Sequence, residues 1–585
     1  MSNPTTLQDV HVLILGLGAS GLAMARWCAR CGARVTVADT REAPPQLVAL
    51  RTAVPDATFV AGPFTAALID GTSVRAVFRS PGLLPAEVAP VLDAARAIGL
   101  WTGGELTLFA QALAELRDAR RYEPRVLAIT GTNGKTTVTS LLGQLVARAG
   151  RRVAVAGNIG PTLLDTLTQA LDAQAAADEQ ARLDAEQAAA DEATAESAKD
   201  TLAEIDRALE DSARLNAEVA QDDASGDDEG PAVEIAAPPP AVPELTAMPQ
   251  VWVLELSSFQ LDGVDNFEPT AATVLNLSQD HLDWHGSLDA YAQAKSRIFG
   301  QRALMVLNRE DARVMAMLPE PVKVKLQKPQ VRAHVTFGAD MPRRPGDFGI
   351  EVLNGMAWLV RAQEADETRK KRRGEAEEEL FIQRLMPADA LRIRGRHNAV
   401  NALAALALAM AADCPLAPML YGLREYQGEP HRVEPVAVVD EVEFFDDSKG
   451  TNVGATVAAL KSLGAERRLV VILGGVGKGQ DFSPLAEPVA LYARAAVLIG
   501  RDAPLIEAAL AATGVALVHA ASMAEAVQLA AARAHAGDAV LMSPACASFD
   551  MFENYGHRAQ VFVEAVQALA DDGLPLSAHA TEEHL

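Results

Sequence analysis

The sequence predicts an α/β protein built on parallel sheets and divided into three domains. Three observations carry that expectation. Short β-branched runs alternate with alanine-rich amphipathic stretches along most of the chain, the pattern of strands buried on both faces and separated by helices. Two of these runs lead directly into glycine-rich loops, at 16–21 and 131–134, as strand-to-helix turns that face phosphates do. A chain of 585 residues also has the length of about three to four ordinary domains.

Taken in order, the first unit extends to about residue 120 and holds candidate strands at 10–15 and 35–38. A linker is expected at 117–124, followed by a central unit, 121–428, with candidate strands at 126–129, 153–156, 251–254, 273–277 and 304–307. Gly428-Glu429-Pro430 reads as a hinge into a third unit, 429–585, with candidate strands at 469–473, 496–499 and 539–542.

Charge is unevenly distributed. The chain has 52 Lys+Arg against 77 Asp+Glu, a net of −25, which argues against a nucleic-acid partner needing a basic face. Segment 171–247 alone contributes −17, from 21 acidic and four basic residues, and leaves −8 for the rest. It holds 23 alanines and ends in Pro231, Pro238, Pro239, Pro240 and Pro243. Leu202, Ile205 and Leu209 have helical spacing there, so the segment reads as an insertion, either a helical excursion or a disordered loop. A second charged stretch, 363–379, sets Arg369–Arg373 beside Glu375, Glu377, Glu378 and Glu379, which suits a solvated loop or turn. Four cysteines rule out a disulfide framework, and Cys28 and Cys31 read as packing residues on a helix. The longest apolar stretch, 402–412, is too short to span a bilayer. No basic residue precedes Arg26 to make a signal peptide. A cytoplasmic protein is expected.

The first loop, Gly16-Leu17-Gly18-Ala19-Ser20-Gly21, follows a strand, and Asp39 ends the next one. This spacing suits a nucleotide or dinucleotide diphosphate at a helix N-terminus. The second, Thr130-Gly131-Thr132-Asn133-Gly134-Lys135-Thr136-Thr137, is more specific. Its backbone N–H groups would cradle phosphates, Lys135 would neutralise the β- and γ-oxygens, and Thr136 would offer a hydroxyl to Mg²⁺. The spacing departs from the usual P-loop because Ile129 occupies the first glycine position.

This loop, with Gly157-Asn158-Ile159-Gly160 and Glu255-Leu256-Ser257-Ser258-Phe259-Gln260, resembles the Mur ligase family. Further matches follow in order: Asp280-His281-Leu282-Asp283, Ala294-Lys295, Gly395-Arg396-His397-Asn398 with Asn401, and His431-Arg432-Val433-Glu434. Asp446-Asp447-Ser448-Lys449-Gly450-Thr451-Asn452 and Ser543-Pro544-Ala545-Cys546-Ala547-Ser548-Phe549-Asp550 complete the series. Within the family, the 255–260, 446–452 and 543–550 runs look like the branch that adds D-glutamate to UDP-MurNAc-L-alanine. Val476 stands where many members carry an acid.

The resemblance implies a Rossmann-like N-terminal domain, a central ATPase domain and a Rossmann-like C-terminal domain. It implies ATP, two Mg²⁺ ions and an acyl-phosphate route to an amide bond, performed by a monomer. Lys135, His281, Lys295, Arg432 and Lys449 would be catalytic. ATP would meet residues 131–137, Asn398, Asn401, Arg432 and Asp447, with Arg432 brought in by closure of the third domain. The metals would be held by Thr136, Glu255, His281 and Lys295, the last as a carbamate, because an ammonium has no acceptor. The UDP moiety would lie against Gly18, Ala19, Ser20, Gly21, Asp39, Thr40, Arg41, Ser80, Pro81 and Gly82, and the muramoyl-peptide end against Asn158. D-Glutamate would meet Lys449, Thr451, Lys478, Ser548, Phe549 and Tyr555. Rival readings are a sister amide ligase with another amino acid, an NAD-dependent oxidoreductase built on the first loop, and a non-catalytic nucleotide-binding scaffold.

Overall fold

A computed structural model describes residues 6–215, 245–322, 329–365 and 380–573. The first sheet contains β1 (His11–Leu15), β2 (Arg34–Asp39), β3 (Thr58–Ala61), β4 (Ala76–Arg79) and β5 (Trp101–Gly103). Its order is β3-β2-β1-β4-β5, all parallel. Val12 and Ile14 face a core completed by helices Ala19–Arg30 and Glu105–Arg120, while Leu13 and Leu15 face helix Pro85–Ala97. That two-sided burial is why β1 reads as a continuous apolar run. Strand order reverses between β1 and β4, which opens a crevice at their C-terminal ends.

The second sheet joins β6 (Arg125–Thr130), β7 (Val153–Gly157), β8 (Val251–Glu255), β9 (Ala271–Val274), β10 (Leu304–Asn308) and β11 (His334–Phe337). The order is β11-β10-β9-β6-β8-β7, again all parallel. Leu127 and Ile129 of β6 pack under helices Lys135–Arg148 and Arg396–Ala411. A small antiparallel sheet follows, formed by β12 (Phe348–Leu353), β13 (Met356–Glu364) and β14 (Leu380–Pro387). Its strands are only half-buried, so they lack the apolar runs that announce the others.

The last sheet holds β15 (Glu434–Val439), β16 (Val442–Asp446), β17 (Leu469–Gly474), β18 (Ala493–Ile499), β19 (Ala516–His519) and β20 (Ala539–Met542). Its order is β15-β16-β20-β17-β18-β19; β15 alone is antiparallel to its neighbour.

Three expectations need adjustment. The strand expected at 273–277 ends at Val274, because the chain bends there to serve the second glycine loop: Leu275 N–H donates to Thr130 O, and Asn276 O accepts from Thr132 N–H. The linker expected at 117–124 is shorter, since helix Glu105–Arg120 carries through 120 and ends on Arg121 in the left-handed region. The segment expected as an insertion from 171 begins on a helix that starts earlier, the single 53-residue helix Leu163–Leu215. Leu163, Leu164, Leu167 and Leu171 bury against the first unit, and ion pairs Arg26–Asp165 and Arg30–Asp172 flank them. Gln174 Oε1 accepts from the N–H groups of Ala247 and Met248, tying the outgoing and returning chain together. Beyond it, Leu202, Ile205 and Leu209 are exposed. The proline-rich tail lies outside the described residues, as does 366–379 of the second charged stretch. Among the described residues, no helix is long and apolar enough to cross a membrane. Cys28 and Cys31 are buried, and burial pushes the Cys31 thiol up to about 12, so this pair is packing rather than redox chemistry.

Candidate active site

The first glycine loop closes over the crevice of the first sheet. Gly21 packs so tightly that a Cβ would lie 2.0 Å from Gly16 O, which lets helix Ala19–Arg30 start against the strand. Asp39 is 2% exposed; its carboxylate accepts from Leu17 N–H and from the Arg41 backbone and guanidinium. Those donors outweigh its burial and hold its pKa at about 2. Gly18, Ala19, Ser20, Asp39, Thr40, Arg41, Ser80, Pro81 and Gly82 line one cavity of about 420 Å³. Asn158 lies elsewhere, its side-chain amide donating to Glu255 Oε1 at 2.7 Å.

The second loop is held from below. Lys135 Nζ donates to Gly131 O and Thr132 O, curling the loop around its own cation. Burial lowers the Lys135 pKa, against the opposing fields of Glu255 and Asp280. Glu255 closes β8 at 1% exposure, and its Oε2 is buried without a hydrogen-bond partner. A buried carboxylate oxygen with no donor is costly, and its chemistry suits a cation as partner. Lys295 contradicts the simplest reading of a helical lysine: it is 1% exposed rather than on the surface. Its Nζ donates to Thr130 Oγ1 at 3.0 Å and Gly131 O at 2.9 Å, and lies 4.7 Å from the Tyr291 ring centre. Burial, reinforced by the Lys135 charge, drives its pKa well below the usual lysine value. His281 precedes a short helix with φ of 53°, its ring 4.7 Å from Phe259, and burial lowers its pKa.

The third unit lands directly on this loop. Arg432 Nη2 donates to Thr136 Oγ1 at 2.7 Å. Asn133, Gly134, Thr137, Asn398, Asn401, Arg432, Asp447 and Lys449 share a cleft of about 90 Å³ between the two units. Desolvation lifts Asp447 to about 7, although Ser543 Oγ donates to it at 2.6 Å. Lys449 Nζ sits 3.7 Å from the Tyr555 ring centre, a close cation–π contact. Ser548 is buried and Phe549 is 73% exposed. Thr451 N–H donates to Lys449 O, and Lys478 adopts φ of 53°. Val476 pairs its backbone with Ala547, which places the position without an acid beside the 543–550 run.

Sequence reasoning gave no role to several supporting residues, although Asp280 stands in one of the matched runs. Asn276 brackets the loop, accepting from Asn133 N–H and donating to Asn133 O. Asp280 supplies the negative field felt by Lys135, Lys295 and His281. Arg558 is 1% exposed in helix Tyr555–Gly573 and donates to Ser448 O and Cys546 O. It thereby ties the 446–452 and 543–550 runs together. An arginine in a helix gives no sequence signal of this; only its neighbours do.

Comparison with known proteins gives a consistent picture. Family models described as Mur ligase MurD-like N-terminal domain, Mur ligase middle domain, and Mur ligase glutamate ligase domain match residues 10–102, 129–213 with 241–409, and 431–546. The UDP-N-acetylmuramoylalanine–D-glutamate ligase of Albidiferax ferrireducens is 63% identical over 96% of this chain and 97% of its own length. That of Ralstonia nicotianae is 52% identical over 97% of this chain and 98% of its own. Among solved structures, a MurF ligase from Thermotoga maritima in complex with ADP shares the fold, with a TM-score of 0.50 at 13% identity over 98% of this chain and 97% of that one.

Proposed function

The chain belongs to the Mur ligase family, and on that premise we propose that it joins D-glutamate to UDP-N-acetylmuramoyl-L-alanine at the expense of ATP. The product is a peptidoglycan precursor, and the expected place of work is the cytoplasm. All assigned groups come from one chain, so the working unit is taken as a monomer. The observation that most supports this reading is convergence: a phosphate loop, a buried carboxylate with one oxygen lacking a donor and a cationic third unit meet at one point, in a chain 63% identical to such a ligase.

The carboxylate of the UDP substrate attacks the γ-phosphorus of ATP. The P–O bond to ADP breaks, and an acyl phosphate forms. Lys135 and the loop N–H groups neutralise the transferring phosphoryl oxygens, and Arg432, already at Thr136, adds a second cation. The amine of D-glutamate then attacks the acyl carbon, and phosphate leaves with the C–O electron pair. Lys449 and Lys478 attract its carboxylates, and Arg558 holds the two runs that present Lys449 and Ser548. The residues fit a divalent cation: Glu255 has a free buried oxygen, and Thr136 and His281 would complete its set with Lys295 once carbamylated. Bound Mg²⁺ would supply charge neutralisation for phosphoryl transfer. In the first unit, the cavity around Gly18 and Asp39 would hold the UDP moiety, with Asn158 at the peptide end.

The direct test is phosphate release with ATP, UDP-MurNAc-L-alanine and a panel of amino acids. Release that depends on D-glutamate is expected. Equal stimulation by L-glutamate, or by none of the panel, would refute the assignment.

Asp447 gives a pH prediction. Assigned to the ATP ribose, it accepts hydroxyl hydrogens on both oxygens, and most strongly, when ionised. Because its pKa is lifted to about 7, KM for ATP should rise as pH falls from 8 to 6, and Asp447→Asn should flatten that profile. The stability linkage has the opposite sense. A folded pKa above the unfolded one makes this group cost stability as pH rises from about 4 to about 7. An unchanged ATP profile in Asp447→Asn would exclude the role.

A further inference from the structure

We propose that Asn452 and Gly454, at the start of helix Val453–Gly464, are positioning residues that seat the third unit on the phosphate loop. The inference rests on the ligase reading and adds to it a contact that touches no substrate.

Asn133 of the phosphate loop and Asn452 form a reciprocal amide pair. Asn133 Nδ2 donates to Asn452 Oδ1 at 3.2 Å, and Asn452 Nδ2 donates to Asn133 Oδ1 at 3.0 Å. Asn133 is itself clamped at N–H and C=O by Asn276, so the pair grips a fixed part of the loop. Asn452 is 5% exposed and also caps its helix, accepting from Ala455 N–H at 2.9 Å.

Gly454 is the second residue of that helix, and its φ is not positive. Nothing in the helix asks for glycine there, and alanine is the better helix former. The reason lies across the boundary. A Cβ at 454 would lie 2.7 Å from Ser278 Oγ and 3.2 Å from Asn133 Nδ2. At the far end of the same helix, a Cβ on Gly395 would lie 1.7 Å from Ser462 Oγ. The helix therefore lies close along the central unit, with a glycine on one side of each contact: Gly454 on the helix at one end, and Gly395 on the central unit facing Ser462 at the other. Lys449 and Asp447 sit just before Asn452, so seating this helix fixes where the cation assigned to the D-glutamate carboxylates meets the phosphate loop.

Asn452→Ser keeps an oxygen to cap the helix but loses the reach to Asn133. It should lower kcat roughly tenfold, with the melting temperature unchanged. Asn133→Ala should lower kcat by itself, and adding Asn452→Ser should cost less than about twofold more. Gly454→Ala should leave the fold equally or more stable yet slow turnover, and Gly454→Leu should slow it further. Domain position can be read separately, by spin labels on cysteines placed at Tyr421 and Leu505. Both positions are exposed, on the central and third units, and the four native cysteines are buried. With Mg²⁺ and a non-hydrolysable ATP analogue, the parent should populate the short distance of this structure, and Asn452→Ser and Gly454→Leu a longer one. Unchanged turnover and distance in both variants, or losses that multiply in the double substitution, would overturn the proposal. Should D-glutamate-dependent release fail in the parent while the distances still shift, the ligase reading falls and the seating role stands.

Discussion

Lys135→Ala is expected to reduce D-glutamate-dependent turnover by at least about a thousandfold while the protein stays folded. The lysine lies at the N-terminus of helix Lys135–Arg148, its ammonium wrapped by the carbonyls of Gly131 and Thr132. In the proposed reaction it is the loop's own cation and would neutralise the γ-phosphate charge. Its removal also relieves a desolvation cost, shown by its lowered pKa, which offsets the two lost hydrogen bonds. The melting temperature should therefore move by no more than about 2–4 °C. Lys135→Arg should not restore activity, since a planar guanidinium cannot take the place of a compact ammonium within the curl of the loop. ADP release measured at saturating ATP checks this, and retained turnover in Lys135→Ala would remove the lysine from the mechanism.

The second large effect concerns Lys295. Its ammonium is buried, meets only the neutral oxygens of Thr130 and Gly131 and the face of Tyr291, and is destabilised by Lys135. Burial makes loss of its proton easier, and the neutral amine is the form that adds CO₂ to give a carbamate and a proton. The resulting anion would lie in the field of Lys135 and near the donorless oxygen of Glu255, where a cation would bind both. Enzyme prepared and assayed without CO₂ should lose most of its activity and regain it with bicarbonate. Lys295→Met should be roughly a hundredfold slower and indifferent to bicarbonate. Labelled ¹³CO₂ should give one carbamate resonance in the parent that Lys295→Met lacks. Lower pH protonates the amine, so the dependence on added bicarbonate should become steeper as pH falls. Full activity after rigorous CO₂ removal would sink the carbamate.

Much of the fold is legible in the chain because parallel strands covered on both faces must be apolar along their whole length. The runs at 10–15, 126–129, 251–254, 469–473 and 539–542 are all such strands. The half-buried strands β12–β14 escape the same reading, because their burial is mixed along the strand and leaves neither a continuous apolar run nor a clean alternation. The glycine loops are equally legible, since backbone approach to phosphate restricts residue type. Supporting residues are not. Arg558, Asn276 and Asp280 belong to types found on any surface, and their meaning comes from what lies across from them.

By itself the sequence determined the α/β units, the two glycine-rich strand-to-helix loops, and, through ordered runs of residues, the family and its reaction. Those features are local: each needs only a strand, a turn and a helix N-terminus that neighbouring residues encode. Tertiary structure alone decided that Lys295 is buried rather than exposed, that Glu255 keeps an unpaired oxygen, and that Arg432 and Asn452 reach the loop from about 300 residues away. Burial and charge proximity depend on which surfaces meet, and no short stretch of chain records that.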